Sequence, residues 1–429
     1  MSIDAIKGAL KSKATKNGLW LYFAQFFNLI CPLISIPYIT RILGVKQYGI
    51  FSFVLNIIGY LQVVVEYGFA MSATRKVAKN ENERIIDKLF TLVLLCRIIL
   101  FALSMLVVWI YISFVSSNVQ QNNCMLILSA TLFGYCIQLT WLFQGKQDMI
   151  YNAVVTMLSR SISLICVFLF VKKSSDIFIY CIIYALGPII GNVVSIFIAK
   201  RKYDIRLVRI SFLEVFNEFK DGWYVFTTQF SSKVFSAIGV TFLGVFGTQY
   251  DVGIFSALQK IPYVLTIAWL PISQVLYPIT SQHFIKSFND GYNYVKKISK
   301  YFVCFFAFAI IVICLCAKQI TQIAFGYDYS TYYYLLFPQL LQILFAIINN
   351  FMGIQILLAA GLDKIYAKCF YYGLIMNIFL NYIVIKKFRV NGAALAPLIA
   401  EILLTLMLFY NISRMKNSKN RKKEEKTNE

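Results

Sequence analysis

Apolar residues in this chain gather into long runs that are separated by short polar segments. About twelve of these runs approach the ~20 residues that an α-helix needs to cross the hydrocarbon core of a bilayer. The pattern predicts an all-α, polytopic membrane protein with about twelve transmembrane helices. The predicted spans are 18–41, 48–70, 89–114, 122–144, 150–171, 177–199, 222–246, 252–279, 300–317, 332–359, 366–385 and 391–413.

Three short stretches of sequence occur twice, the first two at a spacing of 204 residues and the third at 215. The pairs are Gln25-Phe26 with Gln229-Phe230, Gly49-Ile50-Phe51-Ser52 with Gly253-Ile254-Phe255-Ser256, and Asp148-Met149-Ile150-Tyr151 with Asp363-Lys364-Ile365-Tyr366. We expect two pseudo-symmetric six-helix lobes, 1–210 and 211–415, followed by a disordered cytoplasmic tail at 416–429. Two similar halves in a membrane chain are typical of transporters, whose bundles rock around a shared central site.

The positively charged residues lie mostly on one side of the predicted spans. Charged residues make up only 14% of the sequence, against roughly 25% in soluble domains. Of the 41 Lys and Arg residues, 29 lie in the two terminal arms and the loops that share their side, and 8 lie in the loops of the other side. The positive-inside rule then predicts that both termini are cytoplasmic. A net charge of +22 could indicate binding to nucleic acid. Because the basic residues lie on one side of the spans, contact with anionic lipid headgroups explains the charge instead.

The sequence lacks the motifs of most enzyme and metal-site classes. Its one histidine, His283, lies in a predicted cytoplasmic loop, and its ten cysteines include no C-x-x-C pair. No P-loop or nucleophile elbow occurs, so we expect no cofactor, no metal and no catalytic residues. A membrane glycosyltransferase or polymerase would need catalytic groups in a sizeable external loop, and the external segments here are short. Whatever the chain does therefore takes place between its spans.

Four basic residues lie well inside the predicted spans, away from their ends, namely Arg97, Arg160, Lys233 and Lys260. A charge at this depth is costly unless it faces a cavity or a partner. One hypothesis is a cationic, water-filled chamber between the halves that attracts an anionic cargo, because phosphates are bound by Lys as a point charge and by Arg in bidentate fashion. The alternative is that some of these side chains snorkel to the interface or are paired with acids.

Two acidic residues fall within the predicted spans, Glu66 and Glu401. Each is a candidate for proton or sodium coupling, as acids in transporter spans often are. Each is equally a candidate counter-ion for one of the four basic residues. The sequence does not distinguish these roles.

Several motifs together resemble the polysaccharide repeat-unit flippases of Wzx type, which serve O-antigen and capsule synthesis. The similar segments are Pro37-Tyr38-Ile39-Thr40-Arg41-Ile42-Leu43-Gly44, Tyr48-Gly49, Glu66-Tyr67-Gly68-Phe69, Ser72-Ala73-Thr74-Arg75, Trp141-Leu142-Phe143-Gln144-Gly145, Asn377, Asn381-Tyr382, Gly392-Ala393-Ala394 and Glu401. The resemblance extends over nearly the whole chain. At one position the family usually has Asp before Tyr-Gly-Phe, and this chain has Glu66.

The resemblance implies a flippase of the bacterial inner membrane, in the superfamily that also holds multidrug exporters. Its cargo would be undecaprenyl-pyrophosphate-linked oligosaccharide for lipopolysaccharide or another polysaccharide. Its partners would be membrane lipids and a polysaccharide polymerase complex. The alternative within the superfamily is a cation-coupled multidrug exporter. Such exporters carry cationic drugs and commonly have an acid in the first span, where this chain has none.

Overall fold

The computed structural model describes residues 13–79 and 82–428, with side chains described from 23 to 415 and at Gly18 and Trp20. Throughout this part of the chain the regular elements are helices, as predicted. The α-helices are α1 (Lys13–Glu66), α2 (Phe69–Lys79), α3 (Glu83–Ile110), α4 (Val119–Cys136), α5 (Thr140–Gly145), α6 (Met149–Phe170), α7 (Ile177–Tyr203), α8 (Phe212–Phe246), α9 (Gln249–Leu258), α10 (Lys260–Lys286), α11 (Phe288–Leu315), α12 (Ala317–Phe325), α13 (Tyr327–Ser330), α14 (Leu336–Asn350) and α15 (Asp363–Asn428). Two π-helical segments, Tyr111–Val115 and Phe351–Leu358, and two 3-10 turns, Ser174–Asp176 and Tyr333–Leu335, complete the set.

Several helices begin at polar residues that bind the unpaired amide groups of the first turn. The side chain of Asn82 accepts a hydrogen bond from the Arg84 amide at the start of α3, and Asn118 does the same for Gln121 in α4. Thr248 and Asp251 form a reciprocal capping box at the start of α9. Such caps fix where a helix begins, because they satisfy donors that have no partner inside the helix.

Ten helical segments among the described residues are long and apolar enough to cross a membrane. Two of them, Phe23–Lys79 and Asp363–Met415, have 57 and 53 residues, which is enough to cross twice. The first is interrupted at Gly44 (φ 74°, ψ 169°) and the second at Arg389 (φ 49°, ψ −122°), both outside helical geometry. Dividing the two segments at these residues gives twelve spans, in agreement with the sequence pattern.

The internal repeat is visible in the helix boundaries. Gly44, where α1 is interrupted, corresponds at the 204-residue spacing to Thr248, which lies in the break between α8 and α9. At the 215-residue spacing, Asp148 just before α6 corresponds to Asp363 at the start of α15. The 3-10 turn that begins at Ser174 corresponds in the same way to the interruption at Arg389. The two halves therefore share their interruptions as well as short stretches of sequence.

The chain divides into two compact units, Met1–Val234 (unit 1) and Phe235–Glu429 (unit 2). The boundary between them falls inside α8, because the first part of this helix packs with unit 1. The predicted lobes, 1–210 and 211–415, and the predicted disordered tail at 416–429 stay predictions.

The core of unit 1 is built around a sharp turn between α1 and α2. Tyr67 and Gly68 both have positive φ, 45° and 78°. The Tyr67 ring stacks on Phe226 of α8, with 4.6 Å between centroids and 11° between planes. A Cβ atom on Gly68 would lie 2.5 Å from Cγ1 of Val225, so only glycine fits this turn against α8.

The segment Trp141-Leu142-Phe143-Gln144-Gly145 lies in α5 and packs on α2 in the same core. Trp141 is 1% exposed, and its carbonyl accepts a hydrogen bond of 3.2 Å from Thr74 Oγ1. A Cβ on Gly145 would lie 2.6 Å from Val77, so this glycine lets the two short helices approach. Three of the motifs that carry the family resemblance in the first half, those at 66–69, 72–75 and 141–145, thus meet in one buried cluster.

Ion pairs tie the first turns of α8 to the preceding helices of unit 1. Lys76 Nζ lies 2.6 Å from Glu218 Oε2 and 3.3 Å from Asp221 Oδ2. Lys88 of α3 pairs with Glu214. These contacts hold the acidic face of α8 against α2 and α3, which explains why this part of the helix belongs to unit 1.

Unit 2 has its own core, centred on Trp269 of α10. The indole is 4% exposed and lies 5.9, 5.8 and 5.0 Å, between ring centroids, from Phe302, Phe306 and Phe351. Phe351 begins the π-helical segment that continues α14. π-Helical segments are rare in proteins, and many of those that occur lie at functional sites.

Candidate functional site: charged groups within the spans

Arg97 is buried in unit 1, where it completes the end of another helix. Its side chain is 2% exposed, and Nη1 donates a hydrogen bond of 2.6 Å to the carbonyl oxygen of Gln138. Helix α4 ends at Cys136, so the Gln138 carbonyl lies in the break before α5 and lacks a helical donor. A cation at a helix carboxyl end satisfies such carbonyls and interacts favourably with the helix dipole.

Glu66 lies near Arg97, and the two charges attract each other. Glu66 is the last residue of α1, and its Oε1 accepts a hydrogen bond of 2.9 Å from Nε2 of Gln62, one turn earlier. The role of Glu66, whether counter-ion or coupling site, stays a prediction. Tyr135, on α4, interacts with the charges of both Glu66 and Arg160, so these groups share one region of unit 1.

Arg160 joins α6 to the first half of α1. Its Nε donates a hydrogen bond of 3.0 Å to Oδ1 of Asn28, and the side chain is half-buried. Its charge also acts on Cys31, one turn further along α1. Arg160 is thus positioned by an amide rather than by a carboxylate, which leaves its positive charge uncompensated by that contact.

Lys233 lies on α8 against the second half of α1. Its Nζ is 5.8 Å from the ring centroid of Tyr60, within reach of a cation–π interaction. A Cβ atom on Gly59 would lie 2.6 Å from Nζ, so the missing side chain at Gly59 provides the space that the ammonium group occupies. The side chain is half-buried.

Lys260 lies in unit 2, as the first residue of α10 after the break at Gln259, and is half-buried. Whether Lys233 and Lys260 face one chamber remains a prediction, as do the cargo-binding roles of all four basic residues. Within unit 1, Glu66 and Arg97 are close enough for their charges to interact.

Glu401 of α15 is buried in unit 2, with 6% of its surface exposed. Its Oε2 accepts a hydrogen bond of 2.6 Å from Nδ2 of Asn349, which also donates to the Glu401 carbonyl oxygen at 3.0 Å. Oδ1 of the same Asn349 accepts a hydrogen bond of 2.7 Å from Thr405. Among the described residues no Lys or Arg pairs with Glu401, so the counter-ion role has no support here.

A second buried polar network adjoins this carboxylate, and sequence reasoning missed it. Ser273 of α10 donates to Oδ1 of Asn350 at 2.8 Å, and Gln355 donates to the Ser273 carbonyl at 2.9 Å. Thr280 donates to Oε1 of Gln355 at 2.9 Å. The signal was present as uncharged amides, Asn349-Asn350 and Gln355, inside an otherwise apolar run.

Asn377 and Asn381, one turn apart on α15, are fully buried in unit 2. Asn377 donates to the Phe235 carbonyl of α8 at 2.9 Å, and Asn381 donates to Oδ1 of Asn377 at 2.7 Å. The pair therefore fastens α15 to α8. In the part of the chain that the structure describes, no three His, Cys, Asp or Glu side chains are grouped to hold a metal ion.

Comparison with known proteins identifies the family of this fold. A family model described as "Polysaccharide biosynthesis protein" matches residues 14–284. A protein of Escherichia coli (strain K12) named "Putative O-antigen transporter" is 28% identical over 408 residues, covering 93% of this chain and 97% of its own length. A Shigella dysenteriae protein of the same name is 23% identical over 404 residues, with coverages of 92% and 98%.

Solved structures share the fold at low sequence identity. The lipid II flippase MurJ in an inward closed conformation superposes with a TM-score of 0.75 at 16% identity, covering 92% of this chain and 87% of its own. A multidrug resistance MATE family transporter of the MOP superfamily, in an inward-facing conformation, gives 0.70 at 15% identity, with coverages of 92% and 99%. These likenesses show that the chain shares the fold of these two transporters, and its long apolar helices are those of a multi-pass membrane protein. Because the family model spans more than half of its residues, the chain belongs to the polysaccharide biosynthesis protein family.

Proposed function

We propose that this protein is a flippase that moves undecaprenyl-pyrophosphate-linked oligosaccharide from the cytoplasmic to the outer leaflet of the bacterial inner membrane. The observation that carries the proposal is the full-length match to relatives named as O-antigen transporters, which extends over 93% of this chain and 97% of the relative in one case. The transport is by alternating access, and the protein makes or breaks no covalent bond in its cargo. The cargo is destined for O-antigen or a related surface polysaccharide, and a polymerase complex receives it on the outer side.

The basic residues of the spans are the proposed contacts for the pyrophosphate group. Lys233 and Arg160 are half-buried in unit 1, where Lys233 Nζ lies 5.8 Å from the centroid of the Tyr60 ring and Arg160 Nε donates a hydrogen bond of 3.0 Å to Oδ1 of Asn28. Lys260 in unit 2 is also half-buried. Arg97 is less accessible, and its contribution to the cargo site is mainly to the positive potential, since it is buried against Gln138. A diphosphate is attracted by such a field over distances at which no hydrogen bond forms.

The proposed orientation places both termini in the cytoplasm, on the side with 29 of the Lys and Arg residues. The basic clusters around Arg75 and Lys76 and around Lys200 and Arg201 then lie beside the anionic lipid headgroups of the inner leaflet. The sugar and pyrophosphate of the cargo would enter from this side, with the lipid tail remaining in the bilayer.

The test is to delete the gene in its host and locate the lipid-linked oligosaccharide. We expect the oligosaccharide to accumulate on the cytoplasmic leaflet, and the purified protein in vesicles to restore its access to an external probe. Vesicles reconstituted with Lys233→Ala, Lys260→Ala protein are the matched control. Full exposure of the oligosaccharide on the outer leaflet in the deletion strain would exclude the proposal.

A second candidate function is multidrug export, favoured by the likeness to a MATE family transporter whose structure is covered to 99%. The basic residues within the spans oppose this candidate, because they repel cationic drugs. The deletion strain distinguishes the two functions. Increased drug sensitivity with normal surface polysaccharide would favour export of drugs.

A further inference from the structure

We propose that Tyr250, Tyr332, Tyr334 and Asp328 form a carbohydrate-binding surface on unit 2, which holds sugar rings of the cargo on the outer side of the membrane. The inference deepens the proposed function and rests on it for the source of the sugar and for the outer side. Binding of a free oligosaccharide to this surface is independent of both.

The second half of the chain carries an additional structured connection. Helices α3 and α11 begin at equivalent positions at the 204-residue spacing, to within one residue. Helix α4 and the 3-10 turn before α14 are equivalent at the 215-residue spacing. The difference of 11 between the two spacings therefore falls in the connection from α11 to α14, which contains α12 and α13. The first half has only the π-helical segment Tyr111–Val115 and three further residues there.

The additional connection has a buried base. Tyr329 is 1% exposed and packs on Phe325, which is also buried, with 5.8 Å between ring centroids. Between these two residues Gly326 has φ 105°, a conformation that favours glycine, so α12 turns directly into α13. The buried Ser330 donates a hydrogen bond of 2.7 Å to the carbonyl oxygen of Tyr327. Such a base holds the exposed side chains in position before a ligand arrives, which lowers the cost of binding.

Three tyrosine rings from two elements lie next to each other on this connection. Tyr250 of α9 lies 6.2 Å from Tyr332, and Tyr332 lies 6.3 Å from Tyr334, between ring centroids. Tyr250 and Tyr334 are 39% and 41% exposed, and Tyr332 is half-buried between them. The outer two rings are therefore accessible to a ligand, and the middle ring supports both.

Carboxylates accompany the rings. Asp328 is exposed in the first turn of α13, and the charges of Asp328 and Asp251 both act on Tyr250. Asp251 is engaged with Thr248, whereas no Lys or Arg pairs with Asp328 among the described residues. A pyranose ring presents C–H groups on its faces and hydroxyl groups at its edge. It can pack on an aromatic ring while its hydroxyls donate to a carboxylate.

An aromatic belt at the membrane interface is the alternative explanation of these tyrosines. The equivalent connection of the first half exposes apolar side chains, Phe114 at 76% and Val115 at 68%, and contains no acid. A carboxylate does not assist insertion of a ring at the interface, because the charged group is costly to desolvate. The combination of rings with Asp328 therefore favours a sugar over lipid.

The first experiment measures binding of free oligosaccharide, released by mild acid from the lipid carrier of the host. The full-length protein is held in lipid nanodiscs, and binding is followed by saturation-transfer NMR. We expect Tyr250→Ala and Tyr334→Ala each to weaken binding by about 2- to 10-fold. Tyr301→Ala and Tyr410→Ala are the matched controls, because these tyrosines of unit 2 are also exposed, at 67% and 65%.

A second pair of variants separates the ring from the charge. Tyr250→Phe keeps the ring and should retain most of the affinity, and Asp328→Asn should weaken binding without removing a ring. If the wild type does not bind the oligosaccharide, or if the control variants lose as much affinity as Tyr250→Ala, the tyrosines are an interfacial belt only and the proposal is overturned. Because the probe carries no lipid, this result does not depend on flipping.

The second experiment adds the same free oligosaccharide to the receiving side of proteoliposomes during flipping. We expect it to slow flipping by the wild type and by Tyr301→Ala, and not by the double variant Tyr250→Ala, Tyr334→Ala. Equal slowing of all three proteins would place the sugar site elsewhere and overturn the proposal. A wild type that binds the oligosaccharide but flips no lipid-linked cargo would contradict the proposed function and leave the binding surface standing.

Discussion

Replacement of Gly68 by Ala tests the turn on which the core of unit 1 depends. Gly68 has φ 78° and lies against α8, so an alanine there meets two separate obstacles. Its backbone conformation is disfavoured for any residue with a Cβ, and its Cβ would lie 2.5 Å from Cγ1 and 2.8 Å from Cβ of Val225. Gly44 is the matched control, because it has φ 74° with no atom within 4 Å of the added Cβ.

The two obstacles differ in expected size. The left-handed conformation costs about 1–2 kcal/mol for a residue with a Cβ. Overpacking a filled interior adds about 1–3 kcal/mol. We therefore expect Gly68→Ala to lower the free energy of unfolding by about 2–5 kcal/mol. Gly44, with φ 74° and ψ 169°, lies in a region that is nearly restricted to glycine, so Gly44→Ala should cost about 1–3 kcal/mol from backbone strain alone.

A double-mutant cycle with Val225→Gly separates the contact from the strain. Removing the valine side chain relieves both close contacts but leaves the backbone strain at position 68, so we expect a favourable coupling of about 1–3 kcal/mol. Val225→Gly should not rescue Gly44→Ala, because Gly44 has no atom within 4 Å of its added Cβ. The measurement is the thermal and denaturant unfolding of the detergent-solubilised protein. If Val225→Gly did not rescue Gly68→Ala, the packing of this turn on α8 would be refuted.

Three further predictions concern the charges and the topology. Replacing both Lys233 and Lys260 by Ala should weaken binding of the diphosphate cargo by about 1–3 kcal/mol per charge, and replacing them by Arg should have a smaller effect. Flipping in vesicles measures this, and unchanged flipping in the Ala variant would remove both lysines from the site. Arg97→Leu should destabilise unit 1 by about 3–5 kcal/mol, because the Gln138 carbonyl and Glu66 both lose their partner. Thermal unfolding measures this loss, and adding Glu66→Gln should restore part of it. Cysteines introduced at Ser2 and Lys416 should be labelled from the cytoplasmic side, and labelling from the outside would reverse the topology.

The sequence was sufficient for the spans because their length and apolarity are local properties. The interruption at Gly44 lies between two predicted spans, and the one at Arg389 lies between two others. The break after Cys136 was not predicted, since the run 122–144 contains no proline to mark it. There the chain leaves the helix near a carbonyl that Arg97 satisfies from 41 residues away, which no local pattern reveals.

The sequence identified the charged residues of the candidate site but not what each of them does. All six charged residues of the spans were found because charge is conspicuous in an apolar run. Their roles depend on partners from other helices, such as Asn349, which is 52 residues from Glu401. Glu66 and Glu401 each accept a hydrogen bond from a side-chain amide, and they differ in that Arg97 acts on Glu66 whereas no Lys or Arg among the described residues pairs with Glu401.

The two repeats share their framework and differ in their buried chemistry. The interruptions recur at equivalent positions, yet the residue equivalent to Glu66 in the second half is Leu270, which is 51% exposed. The residue equivalent to Glu401 in the first half is Leu186, which is 44% exposed. A duplicated scaffold needs its breaks in both copies to fold, whereas a charge is costly wherever it is not used. Each acid is therefore specific to its own half, and we expect the two halves to tolerate exchange of their helix breaks far better than exchange of their acids.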